Sequence, residues 1–395
     1  MRSIQSRCLI SGAASSATKT CRAAFGKASR SARKEGMATA TSPKYLNLIA
    51  KIFFIFSIVC VTTFYQKIRH AKKILVLDLG FLGDTVTLLP ALSVIRKACP
   101  RADFSVMVES KVVSLLQLTP WIDHVFGYPR FPKGPKWYQD FGRVLNLRRE
   151  HYDVIINLNG SDRSSLLTLF SGATHRLGRV PYRKKSRFWR YCFTDTVEVP
   201  YHTQHLSHQR LDCLHLSGFP KEISPDFDVV MPENAFEKIR PSVGTTPFIH
   251  VSPFTTMDKK ELPAEQLVEL LGCLDFPFVL SCAPNEREQT KLKALLSSLK
   301  KQPLAVFAGS LNIVELTALI SLSQAHLCGD SGSLHLAVML KKPTFAWFRE
   351  TSGVVEWAPT GDTHVNVFGD DGDPFLKIPQ KKLEDTFRAF LMSIQ

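Results

Sequence analysis

The chain has 395 residues, 45% of them hydrophobic and 22% charged, which fits a globular protein of two domains and excludes a chain disordered throughout. The net charge of +15 invites a nucleic-acid reading, but residues 1–73 hold 14 Lys and Arg against the single acid Glu35, leaving only +2 on the rest. Basic charge gathered beside an apolar run points to a membrane surface or a targeting role, and no nucleic-acid partner is expected. Nine scattered cysteines, an odd number with no Cys-x-x-Cys spacing, argue against a disulfide framework or a zinc site and fit a reducing compartment.

Residues 1–44 are basic and rich in Ser, Ala and Arg. This composition suits a targeting segment, or a stretch ahead of a second start at Met37; both readings stand. Residues 45–66 follow, with an unbroken apolar core from Ile52 to Phe64 that approaches the roughly 20 residues of a spanning helix. Lys51 interrupts the run, and Lys67, Arg69, Lys72 and Lys73 flank it. A hydrophobic N-terminal anchor, spanning or interfacial, is expected, with a cleaved signal as the alternative.

Lys73–Leu79 is an apolar run that reads as a buried parallel strand, Gly80-x-x-Gly83 as a tight turn, and Val86–Ala98 as a helix stopping before Pro100. Strands are expected at Phe104–Val108 and Tyr152–Leu158. The pattern restarts with strands at Phe248–Ser252, Phe278–Ser281, Ala305–Phe307, Ala325–Cys328 and Thr344–Trp347. Helices at Ala264–Cys273, Gln289–Leu299, Ile313–Leu322 and Leu334–Leu340 separate them. The expectation is an α/β chain of two Rossmann-like domains, 72–235 and 246–395, facing a cleft and joined near residues 231–246. Ligands of such sheets bind beyond the carboxyl ends of the strands.

Four places there carry candidate chemistry. Asp84, in Gly80-Phe81-Leu82-Gly83-Asp84, is placed to act as a general base on an acceptor hydroxyl or to cap the following helix; spacing leaves both open. Lys260, in Asp258-Lys259-Lys260-Glu261-Leu262-Pro263, is a cation for a leaving phosphate or a solvated loop lysine. Glu286, after the strand ending at Ser281, is a carboxylate for ribose hydroxyls. Asp330, Ser331, Gly332 and His335 stand where a strand gives way to a helix, a natural anion site or a capped helix with His335 packed on the sheet.

Residues 130–190 carry 14 Lys and Arg against four acids, with Arg163, Arg176 and Arg179 the candidates for an anionic acceptor. A solvated basic face is the alternative. Asp371-Gly372-Asp373 reads as a turn, not a metal site. The chain lacks GxGxxG, HExxH, GxSxG and P-loop motifs, so no nicotinamide cofactor is expected.

Taken together, these motifs resemble the ADP-heptose:lipopolysaccharide heptosyltransferases, glycosyltransferase family 9. Gly80-Phe81-Leu82-Gly83-Asp84 followed by Leu89-Pro90-Ala91-Leu92 resembles the opening motif of that family, and Ser171–Gly178 its mid-domain motif. Lys260-Glu261-Leu262-Pro263 resembles a Lys-x-Trp-Pro element, with Leu262 in the aromatic position. Gly329–Ala337 resembles the nucleotide-binding motif. The resemblance implies a GT-B fold, an ADP-heptose donor, no metal and no other cofactor, and inversion at the anomeric carbon. It makes Asp84 the base and puts Lys260 on the diphosphate. Asp330, Ser331, Gly332 and His335 then line the donor site, with Glu286 on the ribose. The basic residues 130–190 and the hydrophobic N-terminal segment, unusual for that family, lead to the expectation of an anionic, lipid-linked saccharide acceptor, and the catalytic domains are expected at the cytoplasmic face of an inner membrane because nucleotide sugars are cytosolic. A nucleotide-sugar epimerase and a non-catalytic nucleotide-sugar binding protein are the alternatives.

Overall fold

The computed structural model describes residues 62–130, 139–181, 187–349, 354–369 and 377–394. The expected anchor lies outside them except for its last residues, and so does the Asp371-Gly372-Asp373 turn. Among the described residues no helix is long and apolar enough to cross a membrane. The end of the apolar run begins a short helix, Phe64–Ile68, whose N-cap Thr63 accepts from the Gln66 amide. Phe64 and Ile68 are buried in the first domain, and Tyr65 N donates to Ser217 O at 3.1 Å, so these residues belong to the globular body.

Two six-stranded, all-parallel sheets form the frame. The first comprises β1 (Lys73–Leu77), β2 (Asp103–Glu109), β3 (His124–Tyr128), β4 (Val154–Asn157), β5 (His175–Arg179) and β6 (Asp195–Val197), in the order 3-2-1-4-5-6. The second comprises β7 (Ile249–Ser252), β8 (Phe278–Cys282), β9 (Ala305–Ala308), β10 (Ala325–Gly329), β11 (Thr344–Phe348) and β12 (His364–Phe368), in the equivalent order read from its other edge. In each sheet the strand order reverses between two central strands, β1 and β4 or β7 and β10, and opens a crevice beyond their carboxyl ends.

The central strands read as continuous apolar runs because helices cover both of their faces. Ile74, Leu75, Val76 and Leu77 are fully buried, each such side chain contributing about 1.5–3 kcal/mol. Four strands lie beyond the sequence reading: β3, β5, β6 and β12. Three of them, β3, β6 and β12, are sheet edges and β5 is next to one, and the exposed positions of β3 and the arginines of β5 break the apolar pattern. Residues 231–246 are no free linker, since Ala235, Ile239 and Val243 pack with Phe248, Val279 and Phe307 of the second domain.

The domains share an apolar floor. Val86, Leu115 and Leu118 of the first meet Ile320, Leu336 and Ala337 of the second.

Candidate active site

The helix after β1 runs from Leu82 to Ala98, beginning earlier than its apolar periodicity suggests, with Phe81 as an extended N-cap. Asp84 therefore sits in its first turn rather than at the N-cap itself: its Oδ2 accepts the Phe81 amide at 2.8 Å while 24% of the side chain stays exposed. A Cβ at Gly80 would lie 2.2 Å from the Asp84 Cβ, so glycine is required for the carboxylate to fold back over the turn.

Beneath Asp84 lies a buried ion pair absent from the sequence reading. Arg210, on helix Leu206–Leu216, bonds through Nη2 to the Asp78 carboxylate just past β1. Its Nη1 donates to the Asp84 carbonyl at 2.5 Å and to Thr87 Oγ1 at 2.6 Å, and its Nη2 lies 3.8 Å from Asp84 Oδ1. The Asp84 pKa is raised above the ordinary carboxylate value, first by burial and then by the neighbouring Asp78 charge, against the opposing pull of Arg210 and the Phe81 amide. A carboxylate raised in this way holds a proton more strongly, as a general base requires.

Across the cleft, helix Gly332–Met339 starts at the carboxyl end of β10, on the other sheet's switch point. Lys260 ends a short 3-10 turn after β7 and pairs with Asp330 at 2.6 Å. Its loop is pinned by Glu261, which accepts from Thr255 N at 2.9 Å, Arg287 at 3.0 Å and Lys291 at 2.7 Å. The N-cap Ser331 makes no cap hydrogen bond, and the helix start is left open.

His335 is buried one turn further in, edge-on to Trp357 at 5.5 Å between centroids, and its pKa is pushed down to about 4 by burial and then by the Lys260 and Arg210 charges. It is a neutral imidazole at neutral pH. His205 faces it at 6.4 Å and is likewise pushed down to about 4, by burial first and His335 next.

The two helix starts touch directly. A Cβ at Gly332 would come within 2.6 Å of Leu82, and one at Gly83 within 2.8 Å of the His335 ring. Asp84, Lys260, Asp330, Ser331, Gly332 and His335 are thus gathered at one interdomain seam. Glu286 stands exposed at the start of helix Glu286–Ser298, beside Arg287, which reaches back to the Thr255 carbonyl.

The arginines of the acceptor reading are dispersed. Arg163 pairs with Asp140 at 3.4 Å. Arg176, near the amino end of β5, donates to the Cys192 and Ala173 carbonyls at 3.0 and 2.7 Å. Arg179, at the carboxyl end, is buried, bonds Gln209 and stacks 4.1 Å over the Tyr201 ring. Gln209 in turn donates to Glu356 of the second domain at 2.8 Å.

Among the described residues no group of three or more His, Cys, Asp or Glu is placed to hold a metal ion.

Comparison with known proteins bears on the family and the fold. The sequence profile of Glycosyltransferase family 9 (heptosyltransferase) matches residues 144–382, more than half of the chain. Lipopolysaccharide heptosyltransferase 3 of Escherichia coli is 22% identical over 326 residues, covering 80% of this chain and 93% of its own. A family 9 glycosyl transferase from Veillonella parvula superposes with a TM-score of 0.70 at 18% identity, covering 82% of this chain and 98% of its own. The E. coli ADP-heptose lipopolysaccharide heptosyltransferase II gives 0.67 at 19% identity, over 81% and 99%. These likenesses bear out the two-sheet, GT-B-like architecture.

Proposed function

The chain belongs to glycosyltransferase family 9, the heptosyltransferases, and from that premise we propose that it moves heptose from ADP-heptose, with inversion, to an anionic, lipid-linked saccharide of the lipopolysaccharide core. The observation that carries this reading is the meeting of the Asp84 turn with the Asp330–His335 helix start, each at a switch point and each on its own domain. One side supplies a base and the other an anion site, which is what a direct displacement between two bound substrates needs.

In this mechanism Asp84 takes the proton of the acceptor hydroxyl as its oxygen attacks the anomeric carbon. The bond to the nucleotide diphosphate breaks on the opposite face. The departing charge is met by Lys260, released from Asp330 as the diphosphate arrives, and by the backbone N–H groups at the start of helix Gly332–Met339. Neutral His335 offers hydrogen bonds at the same seam without adding charge. Leaving-group stabilisation in this reading rests on protein groups and requires no metal. Arg163 and Arg179 belong to the domain that would hold the acceptor, and Glu286 to the rim that would hold the ribose.

Calorimetric titration of the full chain with ADP, UDP and GDP tests the donor. ADP should bind selectively, with affinity falling about tenfold or more in His335→Ala. A preference for UDP or GDP would discard ADP-heptose while leaving the family.

We further propose that the chain is held at a membrane by the apolar stretch within residues 45–66, which approaches spanning length, and that it faces the cytoplasm because nucleotide sugars are cytosolic. Protease added to sealed inverted membrane vesicles should then digest residues 74–395. Protection of that region in inverted vesicles would place it on the other side.

A further inference from the structure

A line of polar side chains runs through the interior of the second sheet and ends at the donor site. Ser281 on β8 meets His250 Nε2 on β7 at 2.8 Å. His250 Nδ1 meets His326 Nδ1 on β10 at 2.9 Å, with the two rings stacked 4.8 Å apart. His326 Nε2 meets Ser333 Oγ at 3.1 Å, and Ser333 Oγ meets Ser331 Oγ at 2.9 Å. Ser281, His250, His326 and Ser333 are buried, and Ser331 alone is partly open.

Burial keeps both imidazoles uncharged: His326 is pushed down to about 3, and His250 is driven well below its ordinary value, by burial first and then by His326. A neutral imidazole carries one N–H. The contact between the two Nδ1 atoms therefore needs one ring protonated there and the other protonated at Nε2. Two tautomer pairs satisfy every link; with His326 protonated at Nε2 the bond between Ser333 and Ser331 can run either way, and only Ser333 donating leaves the Ser331 hydrogen free.

In the outward arrangement Ser281 donates to His250 Nε2, His250 Nδ1–H to His326, His326 Nε2–H to Ser333, and Ser333 to Ser331. Ser331 then has its own hydroxyl hydrogen left for a ligand. In the inward arrangement every bond is reversed, Ser331 gives its hydrogen to Ser333, and only its oxygen lone pairs face the cleft. A diphosphate oxygen is an acceptor, so it is attracted to the outward form and repelled by the inward one.

Building on the donor-site reading above, we propose that a nucleotide diphosphate at this helix start locks the chain from Ser281 to Ser331 in its outward arrangement. His250 and His326 are then positioning residues, which act on the donor only through the hydrogen of Ser331. This turns two histidines in the middle of a sheet into part of the specificity for an anionic donor.

The test uses the full chain with 15N-labelled histidine, ADP as the probe, and calorimetry on the same sample. Ring 15N shifts of the ADP-saturated protein should show His326 protonated at Nε2 and His250 at Nδ1, both neutral. The opposite tautomers, an unresolved mixture at saturation, or a charged ring would overturn the proposal. Absence of ADP binding by calorimetry would instead remove the donor-site reading, and the proposal with it.

Ser333→Ala cuts the chain between His326 and Ser331. Calorimetry should still register ADP, but the histidine tautomers should no longer respond to it. A response that survives the cut would show that the histidines sense the nucleotide by another route and would overturn the chain.

Discussion

Asp84→Asn should lower heptosyl transfer about 10²- to 10⁴-fold, the usual worth of a positioned general base, while ADP affinity stays unchanged. The amide oxygen can keep the hydrogen bond from Phe81 N, so the turn survives and only the proton acceptor is lost. A variant that still turns over at the native rate would take Asp84 out of the mechanism. The native pH profile carries the same signature. Because burial and Asp78 raise the pKa of Asp84, activity should begin to fall at a higher pH on acidification than an ordinary carboxylate would allow.

The same shift makes a stability statement of the opposite sense. Between the unfolded value and the raised folded value, the native state binds more protons than the unfolded one, so ionising Asp84 erodes stability as pH rises through that window. Asp84→Asn should therefore be at least as stable as the native chain at neutral pH, measured by chemical denaturation. Activity and stability would move in opposite directions at one residue, as befits a charge kept for chemistry.

Arg210→Met should cost about 3–5 kcal/mol of stability, the largest loss anticipated for any single change at the site. The side chains of Arg210 and Asp78 are 3% and 2% exposed, and removing the cation leaves the Asp78 carboxylate buried without a counter-charge. Asp84 loses its main opposing influence at the same time, so its pKa should climb further and the acid limb of the activity profile should move up with it. Combining Arg210→Met with Asp78→Asn removes both charges and should recover much of the stability, which a double-mutant cycle would measure. Equal losses in the single and double variants would mean that the ion pair is not what Arg210 contributes.

The parts of this site visible in the sequence are those in which local pattern and function coincide. β1 and β10 are central strands with apolar runs, and each ends in a glycine-bearing turn, so Asp84 and the Asp330–His335 stretch could be placed from spacing alone. What stayed hidden is what depends on distance along the chain. Arg210 lies 132 residues from Asp78, on a helix whose sequence, LSHQRLDCLHL, shows no special pattern. The one local hint was Asp78 itself, an acid within the apolar run Lys73–Leu79. His250 and His326 gave a similar hint, single imidazoles set among the apolar residues of FIHVS and AHLC, but their partnership needs the sheet order to bring β7 beside β10. The arginines of residues 130–190 looked like one patch because sequence counts charge without direction. In the fold, Arg176 and Arg179 sit at opposite ends of a single strand.

The contact between Leu82 and Gly332 also bears on how this seam can evolve. The two helix starts abut so closely that position 332 has no room for a side chain while position 82 holds a leucine. Position 332 cannot gain a side chain alone: a bulkier residue there calls for a smaller one at 82, or for domains set further apart, with Asp84 drawn back from the Asp330–His335 helix start. The two positions should therefore vary as a pair across relatives that keep this spacing, tying together halves of the chain that lie 250 residues apart.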